Sequence, residues 1–145
     1  MAGYSGTPLP KKLGIKEHSR VSFIDAPPEF DDMLGELPRE VEILPSSAGN
    51  LDVVVCFVTE TRQLEARFLE LKPLLAWSGG LWLAWPKKTS GIPTSLVENT
   101  IREIGLAAGL VDNKVCAIDE RWSGLRFVWR VADRPKSGKV KAAAR

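Results

Sequence analysis

A single histidine and two cysteines are all that 145 residues offer toward metal ligation or thiol chemistry. One histidine cannot build a multi-histidine zinc centre, and neither Cys-x-x-Cys nor His-Glu-x-x-His occurs. His18 lies between Glu17 and Ser19 in a polar approach to the first strand. Cys56 and Cys116 sit inside apolar runs and read as small buried hydrophobes, not as a disulfide framework. Burial raises a thiol pKa and hides the sulfur, which removes Cys56 as a nucleophile. Covalent and phosphate-binding signatures are also missing: there is no Gly-x-Ser-x-Gly elbow and no Walker loop. No run approaches the roughly 18 apolar residues of a membrane span, and MAGYSGTPLPKKLG contains no apolar stretch of signal-peptide length. A cytoplasmic location without a membrane partner is the expectation.

What is present is an ordinary domain composition, 44% hydrophobic, in a length that buries a core without staples. The formal charge is +2. Arg134, Lys136, Lys139, Lys141 and Arg145 carry five positive charges with no acid among them, so the rest of the chain is near −3. An acidic body with a short basic end argues against a dedicated nucleic-acid domain and leaves only weak tail contacts. RPKSGKVKAAAR has too little apolar surface to fold. The expected division is an arm over 1–20, one α/β domain over 21–133 and a disordered basic tail over 134–145.

Along the chain, Thr7 and Pro8 suit the cap and first position of a short helix that Gly14 ends. VSFID (21–25) and VEIL (41–44) are strand candidates, with a short helix from Glu29 through Phe30, Met33 and Leu34 between them. DVVVCFV (52–58) is continuously apolar and β-branched, the pattern of a central strand covered on both faces. Leu64, Phe68, Leu71 and Leu75 share one helical face, interrupted at Pro73. Ser78-Gly79-Gly80 reads as a turn into the strand LWLAW. A second helix is expected from about Thr94, with Val97, Ile101, Ile104 and Ala108 in register, Ser95 and Glu98 as a capping box and Gly109 as its stop. KVCAID (114–119) and LRFVWR (125–130), joined by ERWSG, form an antiparallel hairpin. Strands alternating with helices give a mostly parallel, Rossmann-like sheet of about six strands, closed by that C-terminal hairpin.

The order of Asp52 opening DVVVCFV, a helix, a Gly-Gly step before LWLAW, a further helix and a closing hairpin resembles the class I methyltransferase fold over residues 21–131. The segments GYSGTPL, KKLGI, LWLAWPKKTSG and ENTIREIGLAAGLVDNKVCAIDERWSGLRF also resemble an uncharacterised bacterial family of unknown function (DUF3052-like). That second resemblance implies the same fold and no assigned activity or catalytic residue.

A methyltransferase site needs a glycine-rich turn after the first strand and an acid at the end of the second, the logic shared with dinucleotide folds. Here those positions read DAPPEF and LPSS. No cofactor is therefore expected. Asp25, at the end of the first strand, is a candidate ligand contact or an ordinary turn former. Lys87, Lys88, Thr89, Ser90 and Gly91 follow LWLAW, where open parallel sheets gather ligands, and lie ahead of a helix start that favours anions. Their alternative is a solvated loop. Arg121 and Trp122 are candidate anchors of an interface between copies of the chain, or Trp122 folds back on the core.

The leading expectation is a non-catalytic domain that binds a small anionic ligand or an acidic protein partner near Lys87–Gly91. A diverged S-adenosylmethionine-dependent enzyme and a homodimer formed through the hairpin are the alternatives.

Overall fold

The computed structural model describes residues 7–135. In chain order its elements are α1 (Leu9–Leu13), β1 (Arg20–Ile24), α2 (Phe30–Leu34), β2 (Glu42–Ile43), β3 (Leu51–Phe57), α3 (Thr61–Leu71), β4 (Leu75–Pro86), α4 (Glu98–Ala107), β5 (Leu110–Ala117) and β6 (Trp122–Trp129). The six strands form one sheet in the order β2-β1-β3-β4-β6-β5. β2, β1, β3 and β4 run parallel, and β6 pairs antiparallel with both β4 and β5. The Rossmann-like sheet with a C-terminal hairpin is thus observed, with β3 and β4 at its centre. The strand order reverses between β1 and β3, which places a topological switch point at their carboxyl ends.

Alternation along each strand divides the core between two faces. Val54, Cys56, Leu81, Leu83, Leu125 and Phe127 face α3 and α4, where Leu64, Phe68, Leu71 and Ile101 are buried. Val53, Val55, Phe57, Trp82 and Ala84 face the opposite way, against Leu9, Leu13, Ile15, Phe30 and Leu34. The amino-terminal arm is therefore part of the core. Trp82 fixes it by donating its indole N–H to the Leu13 carbonyl at 3.0 Å.

The helix ends show where local signals prevail and where they do not. α3 starts as its sequence dictates: Gln63 Oε1 accepts the N–H groups of Thr59 and Glu60 at 3.0 Å each. Pro73 ends it in a 3-10 turn. α1 begins one residue later than expected, with Pro8 as its N-cap, and Gly14 closes it at φ 84°. α4 begins at Glu98, not near Thr94, and the Ser95–Glu98 box does not form. Ser95 Oγ instead accepts the Thr61 N–H at 3.3 Å, and Glu98 pairs with Arg102 at 2.5 Å. Gly109 follows α4 with φ 101°, as its placement implies.

Ser78-Gly79-Gly80 is not a turn. β4 is one strand through this segment, and its pairing with β3 jumps from Leu51 opposite Leu75 to Val53 opposite Gly80, so residues 76–79 bulge. At the other boundary, Arg134 is tied to the domain through Nε and Nη2 on the Trp129 carbonyl at 3.0 and 2.7 Å. Arg134, the first residue of the expected tail, is thus bonded to the domain; residues 136–145, like Tyr4, lie outside the described residues.

On α4, Ile101 and Gly105 are buried and Ile104 and Ala108 pack against the same core, as the register expected, whereas Val97 is the N-cap and exposed. A Cβ on Gly105 would overlap the Phe127 ring. Helix propensity favours Gly105→Ala by about 1 kcal/mol; overpacking opposes it by about 1–3 kcal/mol or more. We expect a net loss, read as a fall in the urea midpoint; a rise would show that α4 can shift off Phe127 at little cost.

Candidate ligand site at the carboxyl end of the sheet

β1 ends at Ile24, and Asp25 turns the chain with a left-handed φ of 56°. That geometry aims the carboxylate across the switch point, where Oδ2 accepts Nη2 of Arg67 from α3 at 2.5 Å. Arg67 also donates to Glu70 at 3.2 Å. Asp25 is thus at the sheet mouth, as expected, and its charge is already matched by a side chain of the same chain.

Beneath this pair, Cys56 of β3 is fully buried. Burial pushes its thiol pKa up to about 12; the nearby Arg67 opposes the shift, and Asp25 and Glu70 add to it. Cys116, half-buried, is also raised by burial, against the pull of Lys12 and Lys114.

On the other face, edge-to-face rings close the same end of the sheet. Phe23 meets Phe30 at 5.1 Å, Phe30 meets Phe57 at 5.1 Å, and Phe57 meets Trp122 at 4.9 Å. Trp122, one of the two proposed interface anchors, is buried at 6% exposure, so its large ring packs within the chain. Its indole N–H has no acceptor among the described residues. Arg121 is exposed and pairs with Glu29 at 2.5 Å, while its carbonyl accepts the Lys87 N–H at 2.8 Å.

The Lys87–Gly91 loop follows β4, two strands from Asp25, so these candidates do not converge on one point. Lys88–Ser90 is a single 3-10 turn, Ser90 Oγ accepts the Ile92 N–H at 3.0 Å, and Gly91 adopts φ 83°. Since α4 starts only at Glu98, the loop is not at a helix N-terminus and loses that electrostatic support. Lys88 and Thr89 are exposed, Lys87 and Ser90 partly so, and neither lysine forms an ion pair among the described residues.

A shallow groove of about 510 Å³ lies beside this loop, between Thr59–Arg62 and Pro93–Ser95. Its α3 side is largely satisfied internally: Gln63 takes two amides, Ser95 Oγ takes the Thr61 amide, and Thr94 Oγ1 donates to the Thr59 carbonyl at 2.7 Å. The sequence reading missed this groove and the aromatic ladder. Gln63 three residues after Glu60 was the local signal available for the first.

No protein-family model matches the chain, and no curated protein matches it; the resemblance to the uncharacterised bacterial family thus gains no support. Solved structures do match. An S-adenosylmethionine-dependent methyltransferase from Aquifex aeolicus aligns with 81% of this chain and 85% of its own, at 17% identity and a TM-score of 0.57. Aeropyrum pernix fibrillarin, with natively bound S-adenosyl-L-methionine, aligns with 87% of this chain and 70% of its own, at 13% identity and a TM-score of 0.52. Magnesium protoporphyrin IX methyltransferase from Synechocystis, with bound cofactor, aligns with 84% of this chain and 74% of its own, at 14% identity and a TM-score of 0.50. The likeness is one of fold, and the fold is that of the class I methyltransferases.

The residues do not fit the cofactor that this fold implies. The β1–α2 connection is Asp25-Ala26-Pro27-Pro28-Glu29, without a glycine to admit a ligand against the backbone. The Phe30 N–H is bound to the Pro27 carbonyl. Leu44-Pro45-Ser46 follow β2 with no carboxylate for a ribose.

Because the thiolate is the reactive form, Cys56 should resist iodoacetamide in the native protein at mildly alkaline pH while Cys116 reacts slowly. Peptide mass spectrometry before and after unfolding checks this; native labelling of Cys56 would mean that the Arg67–Asp25 cover opens.

Proposed function

We propose that this chain is a methyltransferase-fold domain that has given up adenosylmethionine binding and recognises an anionic ligand or acidic partner segment at the carboxyl end of its sheet. The observation that carries the reading is the Asp25–Arg67 ion pair, which spans the switch point from the end of β1 to α3. The aromatic ladder fills the adjoining face, so the fold's usual ligand crevice is held by the chain's own side chains. Lys87 and Lys88, unpaired among the described residues, supply positive charge beside the groove at Thr59–Ser95.

A second reading, a diverged methyltransferase-like enzyme, draws on the fold likeness to proteins solved with the cofactor. Titration calorimetry separates the two. The first reading expects no heat from S-adenosylmethionine or S-adenosylhomocysteine at millimolar concentration, and saturable binding would overturn it in favour of the second.

The anion contact is tested by amide chemical shifts under titration with inorganic pyrophosphate. Movement confined to 87–91 and lost in the Lys87→Ala, Lys88→Ala double variant is expected. No movement in the wild type would remove this loop from the site.

A further inference from the structure

The opposite end of the sheet carries a second, more enclosed cavity of about 440 Å³, independent of the reading above. Its walls come from the turn between α1 and β1 (Gly14, Lys16–Ser19), from Asp52 in β3, from Ser78 in the β4 bulge and from Arg126 in β6. Three features of the chain build it. Gly14 at φ 84° and His18 at φ 67° fold the turn over the strand ends. The bulge carries Ser78 out of the regular strand line. Gly80, with no side chain, lets the Arg126 guanidinium lie directly on the β4 backbone, where any Cβ would overlap Nε and Cζ.

Arg126 is the unusual group. It is partly buried, and among the described residues its Nη1 donates only to the exposed Asn113 Oδ1, at a long 3.4 Å. No carboxylate pairs with it among the described residues. Burial and then the neighbouring Arg134 hold its pKa below the ordinary arginine value, so the local environment disfavours the charge that the side chain still carries. A guanidinium removed from water without a counter-ion is costly. Its fork matches a carboxylate in two parallel hydrogen bonds.

The same cavity also presents negative charge. Asp52 gives Oδ2 to the Arg20 N–H at 2.8 Å, which leaves Oδ1 available, and Glu17 is exposed at the rim. With Lys16 also on the wall, the lining carries two cations and two acids, so a dianion such as phosphate would meet Asp52 and Glu17 as well as Lys16 and Arg126. A molecule bearing one carboxylate and one ammonium meets complementary charge at each end, and the volume is that of a small-molecule site.

We propose that this cavity binds a small zwitterion of the α-amino-acid class, with its carboxylate on Arg126 and its ammonium toward Asp52. Thermal melting of the full chain with each protein amino acid at millimolar concentration, beside acetate and inorganic phosphate, tests it. At least one amino acid should raise Tm by more than either control. Arg126→Gln should abolish that shift. Gly80→Ala should weaken it by pushing the guanidinium out of place. Asp52→Asn, which keeps an acceptor for the Arg20 N–H, should weaken amino-acid binding and leave any acetate response unchanged. The assignment is overturned if no amino acid raises Tm, if acetate or phosphate does so equally, or if Arg126→Gln and Gly80→Ala both retain the full shift.

Discussion

The hydrogen bond from Trp82 to the Leu13 carbonyl holds together a fold with unequal faces. One face of the sheet is covered by α3 and α4, of 11 and 10 residues; the helices on the other among the described residues are α1 and α2, of 5 residues each. Helices that short do not persist on propensity, so their order is tertiary. Leu9, Leu13 and Ile15 bury against β3 and β4, and the Trp82 indole fixes the direction from which they arrive. Both groups of that bond are buried, so neither could turn to water if the other were removed. The turn from Gly14 to Ser19 hangs from the same contact. The cavity at the amino end of the sheet therefore exists only while α1 is docked.

At the carboxyl end a different economy operates. An open parallel sheet leaves a crevice where its strand order reverses, and a ligand-binding member of the fold keeps that crevice clear. Here it is spanned by Asp25 and Arg67 and walled by Phe23, Phe30, Phe57 and Trp122. The ion pair is partly exposed and contributes little by itself, on the order of 1 kcal/mol or less. The ring pairs are worth about 0.5–1.5 kcal/mol each beyond their buried area. Stability at this end thus comes mainly from ring packing, with the ion pair adding little.

Much of this architecture was legible because it depends on periodicity alone. The unbroken apolar run at 52–58 marked the central strand, and Leu64, Phe68 and Leu71 marked the face of α3. Glycine was harder, because its two uses leave the same letter. Gly14 and Gly109 serve positive φ and were read correctly, whereas Gly79 and Gly80 lack positive φ and are small because the Leu51 carbonyl and Arg126 press on them. A pair needed for close approach reads as a turn. Ser95 failed as a cap for a related reason: its hydroxyl had a tertiary donor in Thr61, 34 residues away, that no local pattern contains. Trp122 could be an anchor or a lid until Phe57 was known to lie beneath it.

The amino-end cavity was least legible of all, since its walls are drawn from segments around 14–19, 52, 78 and 126 that share no motif. In sequence, Arg126 is simply the polar alternate of Leu125 and Phe127. Register converts it into something else: opposite Trp82 in β4, it lies on the face that α1 covers, over a glycine, with no ion-pair partner among the described residues. An apolar residue there would avoid the desolvation cost of the charge, and a nearby acid would offset it. Among the described residues neither an apolar side chain nor a paired carboxylate is found there, and the chain instead maintains a bulge, a glycine and two left-handed turn residues around that guanidinium. Features that cost stability separately and converge on one cavity are better accounted for by what the cavity holds than by the packing of the sheet.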